Sequence, residues 1–387
     1  MKLKSALKVM TIVGTRPELI RLSRVIAKLD SHLNHILVHT GQNYAYELNE
    51  VFFQELEIRN PDYLLDVETT SLGKVLGETL INIEPILQKE KPDAVLILGD
   101  TNSCIASIMA KRLHIPMYHM EAGNRSFDLN VPEEINRRMI DHIADFNLVY
   151  TENSRRHLLS EGLPHRQIYL TGSPMNEVLR YYSDKIKNSN ILASLSLESQ
   201  SYFVVSMHRE ENVDNPVILK TIVSILNQLV DNYDLPVIVT THPRTKKRLD
   251  SRNDLKLNKK ISFIEPFGFF DYIKLQKNAL CVISDSGTIS EESSILEFPA
   301  ITLRNSMERP EALDAGSLIL TGFEIPTVMD SISLVTSQRM NLTNNSSVPD
   351  EYKITNTSQR VVNLIMGTAK LSNIWSGINS KFPDLPT

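Results

Sequence analysis

The stretch KVMTIVGTRPELIRLSRVIAKLD (8–30) decides how the rest of the chain is read. It begins as a run of aliphatic and β-branched residues and meets Gly14, with Pro17 three positions on. Leu19, Leu22, Ile26 and Leu29 then recur at three and four. A change of apolar period from strand to helix across a tight turn is the signature of a βα unit.

The same alternation continues outward. HILVHTG (35–41), DAVLILG (93–99), PMYHMEA (116–122), FNLVYT (146–151) and QIYLTGS (167–173) read as further strands, and GKVLGETLINIEPILQKEK (73–91) as a helix. A second series follows: YFVVSMH (202–208), PVIVTTH (236–242), ISFIEP (261–266), CVISDS (281–286) and PAITLR (299–304). Repeated βα units imply an α/β fold with parallel, doubly wound sheets. A chain of 387 residues also exceeds the roughly 250–300 residues at which one core stops growing. The polar segment DKIKNSNILASLSLESQS (184–201) separates the series, so domains over 1–183 and 184–356 are expected, with a last helix starting near 357. Two such domains would present their strand ends to a shared cleft.

Composition narrows the classes. With 42% apolar residues, 22% charged residues and a net charge of −5, the chain lacks the basic footprint of a nucleic-acid binder. The start, MKLKSALKVMTIVGTRPE, has no signal-peptide pattern, and no run reaches the ~20 apolar residues of a membrane span. Cys104 and Cys281 form neither a disulfide framework nor a zinc motif. A cytoplasmic location is expected.

The chemistry is expected at strand ends. There the chain carries Gly14-Thr15-Arg16-Pro17-Glu18, Gly99-Asp100-Thr101, Met120-Glu121-Ala122-Gly123, His208-Arg209-Glu210-Glu211-Asn212, His242-Pro243-Arg244 and Asp285-Ser286-Gly287-Thr288. Each alone also fits an ordinary cap or turn. After CVISDS, the backbone N–H groups of Ser286, Gly287 and Thr288 open a helix and suit an anion; Glu292, on its first turns, suits the vicinal hydroxyls of a ribose. Arg304 and Arg309 offer cations for a diphosphate without a metal. No metal motif or GxGxxG follows any strand, so neither a metal nor a redox cofactor is expected. Arg16 stands where that glycine fingerprint would be. Asp100, Glu121 and Glu133, with His208, make a proton-transfer set. Asp100 equally fits a helix N-cap, His242 a structural histidine, and one of Glu133 and Glu134, expected to be Glu134, plain surface.

Seven ordered motifs then carry a resemblance: GTRPE (14–18), GDTN (99–102), EAG (121–123), PEEINR (132–137), HREEN (208–212), SDSG (284–287) and ERPEA (308–312). In this order they resemble the non-hydrolysing UDP-N-acetylglucosamine 2-epimerases, over about residues 8 to 320. The resemblance implies two Rossmann-like domains facing a cleft in the GT-B arrangement, with the C-terminal helix (357–387) packing back onto the first domain. It implies inversion of C2 of a UDP-2-acetamido sugar through loss of UDP to a 2-acetamidoglycal and re-addition, with no cofactor. Asp100, Glu121 and Glu133 would be the acid/base set, and His208 would serve the leaving phosphate or shuttle a proton. Arg16, Arg21, His242, Ser286, Gly287, Thr288, Glu292 and Arg309 would bind the UDP-sugar. A homodimer follows from the same precedent.

Arg21, Asn43 and Thr288 depart from the usual GlcNAc-type motifs. GTRPELIRLS (14–23), HTGQNYAYELNEVFF (39–53), GDTNSC (99–104), HMEAGNRSFDLNVPEEINRR (119–138) and PFGFFDY (266–272) are more similar to the capsule and O-antigen branch. That branch implies a UDP-2-acetamido-2,6-dideoxy-L-hexose, L-talo to UDP-N-acetyl-L-fucosamine. UDP-N-acetylglucosamine to UDP-N-acetylmannosamine, and a GT-B glycosyltransferase, are the alternatives.

Overall fold

The computed structural model describes residues 6–41, 52–207, 215–240, 256–341 and 348–379. The chain divides into two compact units, Met1–Val178 with Ile354–Thr387, and Leu179–Lys353. The first contains strands β1 (Lys8–Val13), β2 (Asn34–His39), β3 (Tyr63–Leu64), β4 (Ala94–Leu98), β5 (Met117–Ala122), β6 (Phe146–Val149) and β7 (Ile168–Leu170). They form one parallel sheet in the order β3-β2-β1-β4-β5-β6-β7. The second unit contains β8 (Phe203–Ser206), β9 (Val237–Thr240), β10 (Ile261–Ile264), β11 (Cys281–Ser284), β12 (Ala300–Thr302) and β13 (Ile319–Leu320). Their order, β10-β9-β8-β11-β12-β13, repeats the same winding, again all parallel. Each sheet therefore starts at its middle, winds out one way and reverses, between β1 and β4 in one and between β8 and β11 in the other. That is the Rossmann-like order, and its reversal point is where such sheets bind ligands.

Among the described residues, the helices of eight residues or more are α1 (Arg16–His32), α2 (Leu72–Glu90), α3 (Pro132–Ile143), α4 (Glu152–Ser160), α5 (Pro216–Tyr233), α6 (Phe269–Asn278), α7 (Ile289–Leu296), α8 (Ile325–Asn341) and α9 (Thr357–Thr368). A parallel sheet is covered on both faces, so its strands are apolar throughout rather than alternating. Every residue of β4, β6, β8 and β11 is buried accordingly. No helix among the described residues is long and apolar enough to cross a membrane, and Cys104 and Cys281 are buried and in no disulfide.

Two features depart from the sequence reading. The edge strands β3 and β13 were not expected. Each is two residues long, too short to show a period. The polar segment after Asp184 is more than a connection. Its helical turns Ser183–Lys187 and Ile191–Ser194 are built onto the second unit, where Ser189 Oγ donates to Asp271 at 2.5 Å and Lys274 Nζ to Lys187 O at 3.0 Å. Leu192 and Leu195 pack on the core around Tyr202 and Leu275. The last long helix, α9, belongs to the first unit and packs against α1. Thr357 Oγ1 donates to Thr171 O and Ser173 O, and Ser358 N–H donates to Glu177 at 2.8 Å.

Beyond β5 the backbone is tightly constrained. Gly123 has φ +81°, and a Cβ there would lie 2.4 Å from the carbonyl oxygen of Ser154. Arg125, two residues on, is fully buried. It donates to Asn124 O and Asp141 Oδ2, and bidentately to Glu161, all at 2.7 Å. A buried guanidinium needs such partners, because an unpaired one would cost several kcal/mol.

Gly123→Ala should cost more than about 2 kcal/mol in chemical denaturation, since backbone conformation and space both forbid a methyl. Gly77→Ala, inside α2 with nothing within 4 Å of the added methyl, should gain about 0.5–1 kcal/mol; similar effects at both sites would refute this account. A second test concerns acid. Arg125 holds the Glu161 carboxyl down to about 2 from 4.5. A depressed carboxylate stabilises the fold above its unfolded value, and that stability is lost as pH falls through the folded one. Unfolding free energies of the native protein and Glu161→Gln should differ at about pH 7 and converge toward about pH 2, whereas a constant gap would contradict the pairing.

Candidate functional site

In the first unit, polar residues gather at the β1–β4 reversal and the neighbouring end of β5. Strand β1 passes through Gly14 and Thr15 into α1, with Pro17 in the first turn, where a missing N–H costs nothing. Arg16 lies here, its guanidinium 4.0 Å from the centre of the Phe52 ring. Glu18 turns back into the loop: one carboxylate oxygen accepts from Gly14 N–H at 2.5 Å and Thr15 N–H at 3.1 Å. The other accepts from the hydroxyls of Thr101 and, at 2.7 Å, Ser103. Burial pushes the Glu18 carboxyl up, and the Thr101, Gly14, Ser103 and Thr15 donors oppose that shift.

Asp100 follows Gly99, whose φ of +73° breaks strand β4. Its carboxylate accepts from Arg137 Nε at 2.8 Å and from Arg137 Nη2. Asn136 Nδ2 donates to the Asp100 carbonyl at 3.0 Å. Glu121 sits in the left-handed region at φ +66°, at a register shift between Met120 and Ala122. This bulge aims an otherwise in-line side chain. The Glu121 carboxylate pairs with Arg21 Nη1, accepts from Asn124 Nδ2 at 3.5 Å and is 7% exposed. A Cβ on Gly99 would lie 3.9 Å from Glu121 Oε2, so the carboxylate of Glu121 borders the residue preceding Asp100. Under the same turn, His119 Nε2 donates to Gly99 O at 2.8 Å.

The acidic pair at the start of α3 corrects one expectation. Glu134, read as plain surface, is fully buried, and its neighbour Glu133 is exposed. Glu134 accepts from Ser126 N–H at 3.0 Å, Arg137 Nη1 at 2.8 Å and Arg138 Nε at 2.9 Å. Burial works against its charge, but these donors hold its carboxyl below the ordinary value. Arg137 therefore bridges Glu134 and Asp100. Arg21, expected against the ligand, pairs with Glu121.

In the second unit the corresponding reversal lies between β8 and β11. His208 and His242 lie outside the described residues. After β11, Ser286 N–H donates to Ser284 Oγ at 3.0 Å, and the Ser286 and Thr288 hydroxyls are 3.0 Å apart. Thr288 is the N-cap of α7. Arg309 Nη1 donates to Gly287 O at 2.9 Å and to Glu291 at 2.7 Å. A Cβ on Gly287 would meet Glu308 Oε1 at 3.0 Å, and Glu308 pairs with Arg304 at 2.5 Å. Glu292 is buried and accepts from Gln276 Nε2 at 2.8 Å. A helix start with two arginines and small side chains beside it is chemically fit for a phosphate group.

The sequence reading assigned no role to Glu18, Arg137 or Glu308. Each stood inside a quoted motif; the available signal was only their spacing from the acids and cations they now pair with.

The sequence and fold are similar to those of known proteins. Residues 27–366 match the family model described as UDP-N-acetylglucosamine 2-epimerase. A Rickettsia bellii protein described as a UDP-N-acetylglucosamine 2-epimerase shares 47% identity, with a TM-score of 0.90 over 96% of this chain and all of that one. A Methanocaldococcus jannaschii UDP-GlcNAc 2-epimerase, crystallised with UDP-GlcNAc and UDP, shares 37% identity, with a TM-score of 0.86 over 93% of this chain and all of that one. A Pseudomonas aeruginosa UDP-2,3-diacetamido-2,3-dideoxy-D-glucuronate 2-epimerase is 34% identical over 330 residues, 84% of this chain and 91% of that protein. With the doubly wound order in both units and a match over most of its length, the chain belongs to the UDP-N-acetylglucosamine 2-epimerase family, isomerases acting on UDP-sugars.

Proposed function

We propose that the chain inverts C2 of a UDP-2-acetamido-2,6-dideoxy-L-hexose, taking the L-talo sugar to UDP-N-acetyl-L-fucosamine for a surface polysaccharide, as a cytoplasmic homodimer. The observation that carries the chemistry is the pair of strand-end carboxylates, Asp100 on Arg137 and Glu121 on Arg21, with Glu121 bordering Gly99. C2 of an acetamido sugar is not adjacent to a carbonyl, so direct deprotonation is too costly. A carboxylate takes the C2 proton as the C1–O bond breaks; the C2–H electron pair forms the C1=C2 bond, and UDP leaves with the C1–O pair. Re-addition of UDP, with proton delivery to the opposite face of C2, gives the epimer. The reaction needs carboxylates for both faces, and Asp100, Glu121 and Glu133 supply them in this reading. Arg16, Ser286, Gly287, Thr288 and Arg309 hold the diphosphate and Glu292 the ribose; His208 and His242 assist the phosphates. Arg21, among the residues that bind the UDP-sugar in this reading, also sets Glu121.

The 6-deoxy sugar is favoured by the motif departures at Arg21, Asn43 and Thr288 and by PFGFFDY (266–272). The names of the Rickettsia and Methanocaldococcus relatives favour a second reading, UDP-N-acetylglucosamine to UDP-N-acetylmannosamine. The Pseudomonas relative's name shows that sugars differ within relatives at this level of identity.

Proton NMR in D₂O separates the readings. Deuterium at C2 with a new epimer is expected from UDP-2-acetamido-2,6-dideoxy-L-talose and not from UDP-GlcNAc; the reverse result selects the second reading. Asp100→Asn, Glu121→Gln and Glu133→Gln should each keep UDP affinity and lose a factor of about 10² to 10⁴ in rate, the usual scale of acid/base catalysis. A variant that turns over normally removes its residue from the set.

A further inference from the structure

We propose that Glu18 is a positioning residue for the epimerisation: its carboxylate locks the turn after β1 to the turn after β4, so that helix α1 sets the place of Asp100 and Glu121 together. The inference rests on the reading of Asp100 and Glu121 as proton-transfer groups.

Three observations carry it. Glu18 is 2% exposed, yet four donors saturate its oxygens, two from each turn. The division is clean: Oε2 takes the N–H groups of Gly14 and Thr15, and Oε1 takes the hydroxyls of Thr101 and Ser103, which flank Asn102 just after Asp100. Three residues along the same helix, Arg21 pairs with Glu121. Residues at i and i+3 share a helix face, with Cβ atoms about 5–6 Å apart. One rigid helical turn therefore holds the Asp100 turn with one side chain and the Glu121 carboxylate with the next. An N-cap role alone needs only the Thr15 N–H contact; it leaves the two hydroxyl contacts on the far turn unexplained.

The size of the effect follows from geometry. A misplacement of about 1 Å at a reacting group can cost about 10² in rate. Glu18→Gln can keep the lock, because its amide oxygen accepts the two backbone N–H groups and its NH₂ can donate to hydroxyls that rotate to accept. Glu18→Ala cannot, and Thr101→Val with Ser103→Ala removes the far half alone without altering the side chains of Glu18, Asp100 or Glu121 themselves.

The test measures kcat, KM and C2 deuterium exchange with whichever UDP-sugar the native protein epimerises, alongside UDP affinity, thermal melting and crystal structures of the variants. Glu18→Ala and the Thr101/Ser103 double variant should lose about 10- to 100-fold in kcat, with KM and UDP affinity within about threefold. Glu18→Gln should retain most of the native rate. A purely structural role would lower the melting temperature and leave kcat per folded molecule unchanged, overturning the proposal. So would a crystal structure of the double variant with Asp100 unmoved, a readout independent of any activity. If these variants are slow but Asp100→Asn and Glu121→Gln are not, the acid/base assignment fails. If the acid variants are slow and the Glu18 set is not, the positioning role alone fails.

Discussion

The constraint on which the site depends is the burial of carboxylates at the ends of parallel strands. Such a group loses its hydration, and the protein must return the lost interaction through cations and aligned donors. Glu18 is met by N–H groups and hydroxyls; Asp100 and Glu121, and several acids on helices and loops, are met by arginine. Arg21 faces Glu121, Arg137 faces Asp100 and Glu134, Arg125 faces Asp141 and Glu161, Arg309 faces Glu291, and Arg304 faces Glu308. The planar, permanently charged guanidinium suits the task because one side chain serves two acids in fixed directions. Arg125 and Arg137 both do so.

The strand order explains why these pairs concentrate where they do. In each sheet the first strand is central and the connections leave it in opposite directions; in the first unit the loops after β1 and β4 therefore part from each other. The space they open must be lined by side chains on turns rather than by packed apolar groups. Gly99 at φ +73°, Glu121 at φ +66° and Gly123 at φ +81° are the local expressions of this. Gly99 and Gly123 turn the chain where β4 and β5 end, and Glu121, inside β5, sits at the Met120/Ala122 register shift in the hydrogen-bond ladder.

Much of the fold was legible because its signals are local. The eleven strands read from apolar runs all formed, and the βα turn at Gly14 falls where the period changes. What escaped was non-local. β3 and β13 exist only because β2 and β12 offer an edge to pair with; two residues such as Tyr63 and Leu64 carry no pattern of their own. The site divided the same way. Strand-end placement exposed Asp100, Glu121 and the Ser286–Gly287 turn, but the partner that gives each acid its setting lies elsewhere in sequence. Arg137 stands 37 residues from Asp100 and Arg21 stands 100 from Glu121. Between adjacent Glu133 and Glu134, only the rotation of α3 against Ser126 decides which is buried, and the order of two identical residues contains no such information.

A consequence follows for how substrates can diverge on this scaffold. The acid pairs and their arginines are tied into the backbone turns by Glu18, Ser126, Asn136 and His119, so moving any one carboxylate disturbs several hydrogen bonds. Such a network resists small adjustments because a half-satisfied buried group costs more than a whole one gains. Substitution is cheaper where side chains are held by fewer partners. Phe127 and Leu129, between the two acidic segments, are 67% and 69% exposed, and Phe127 meets only the edge of His157 and the guanidinium of Arg138 among the ring contacts described. Positions of that kind can be exchanged without unlocking Asp100 or Glu121. The hydrogen-bonded acids are thereby the rigid part of the first unit, and exposed positions such as Phe127 and Leu129 are the part free to vary.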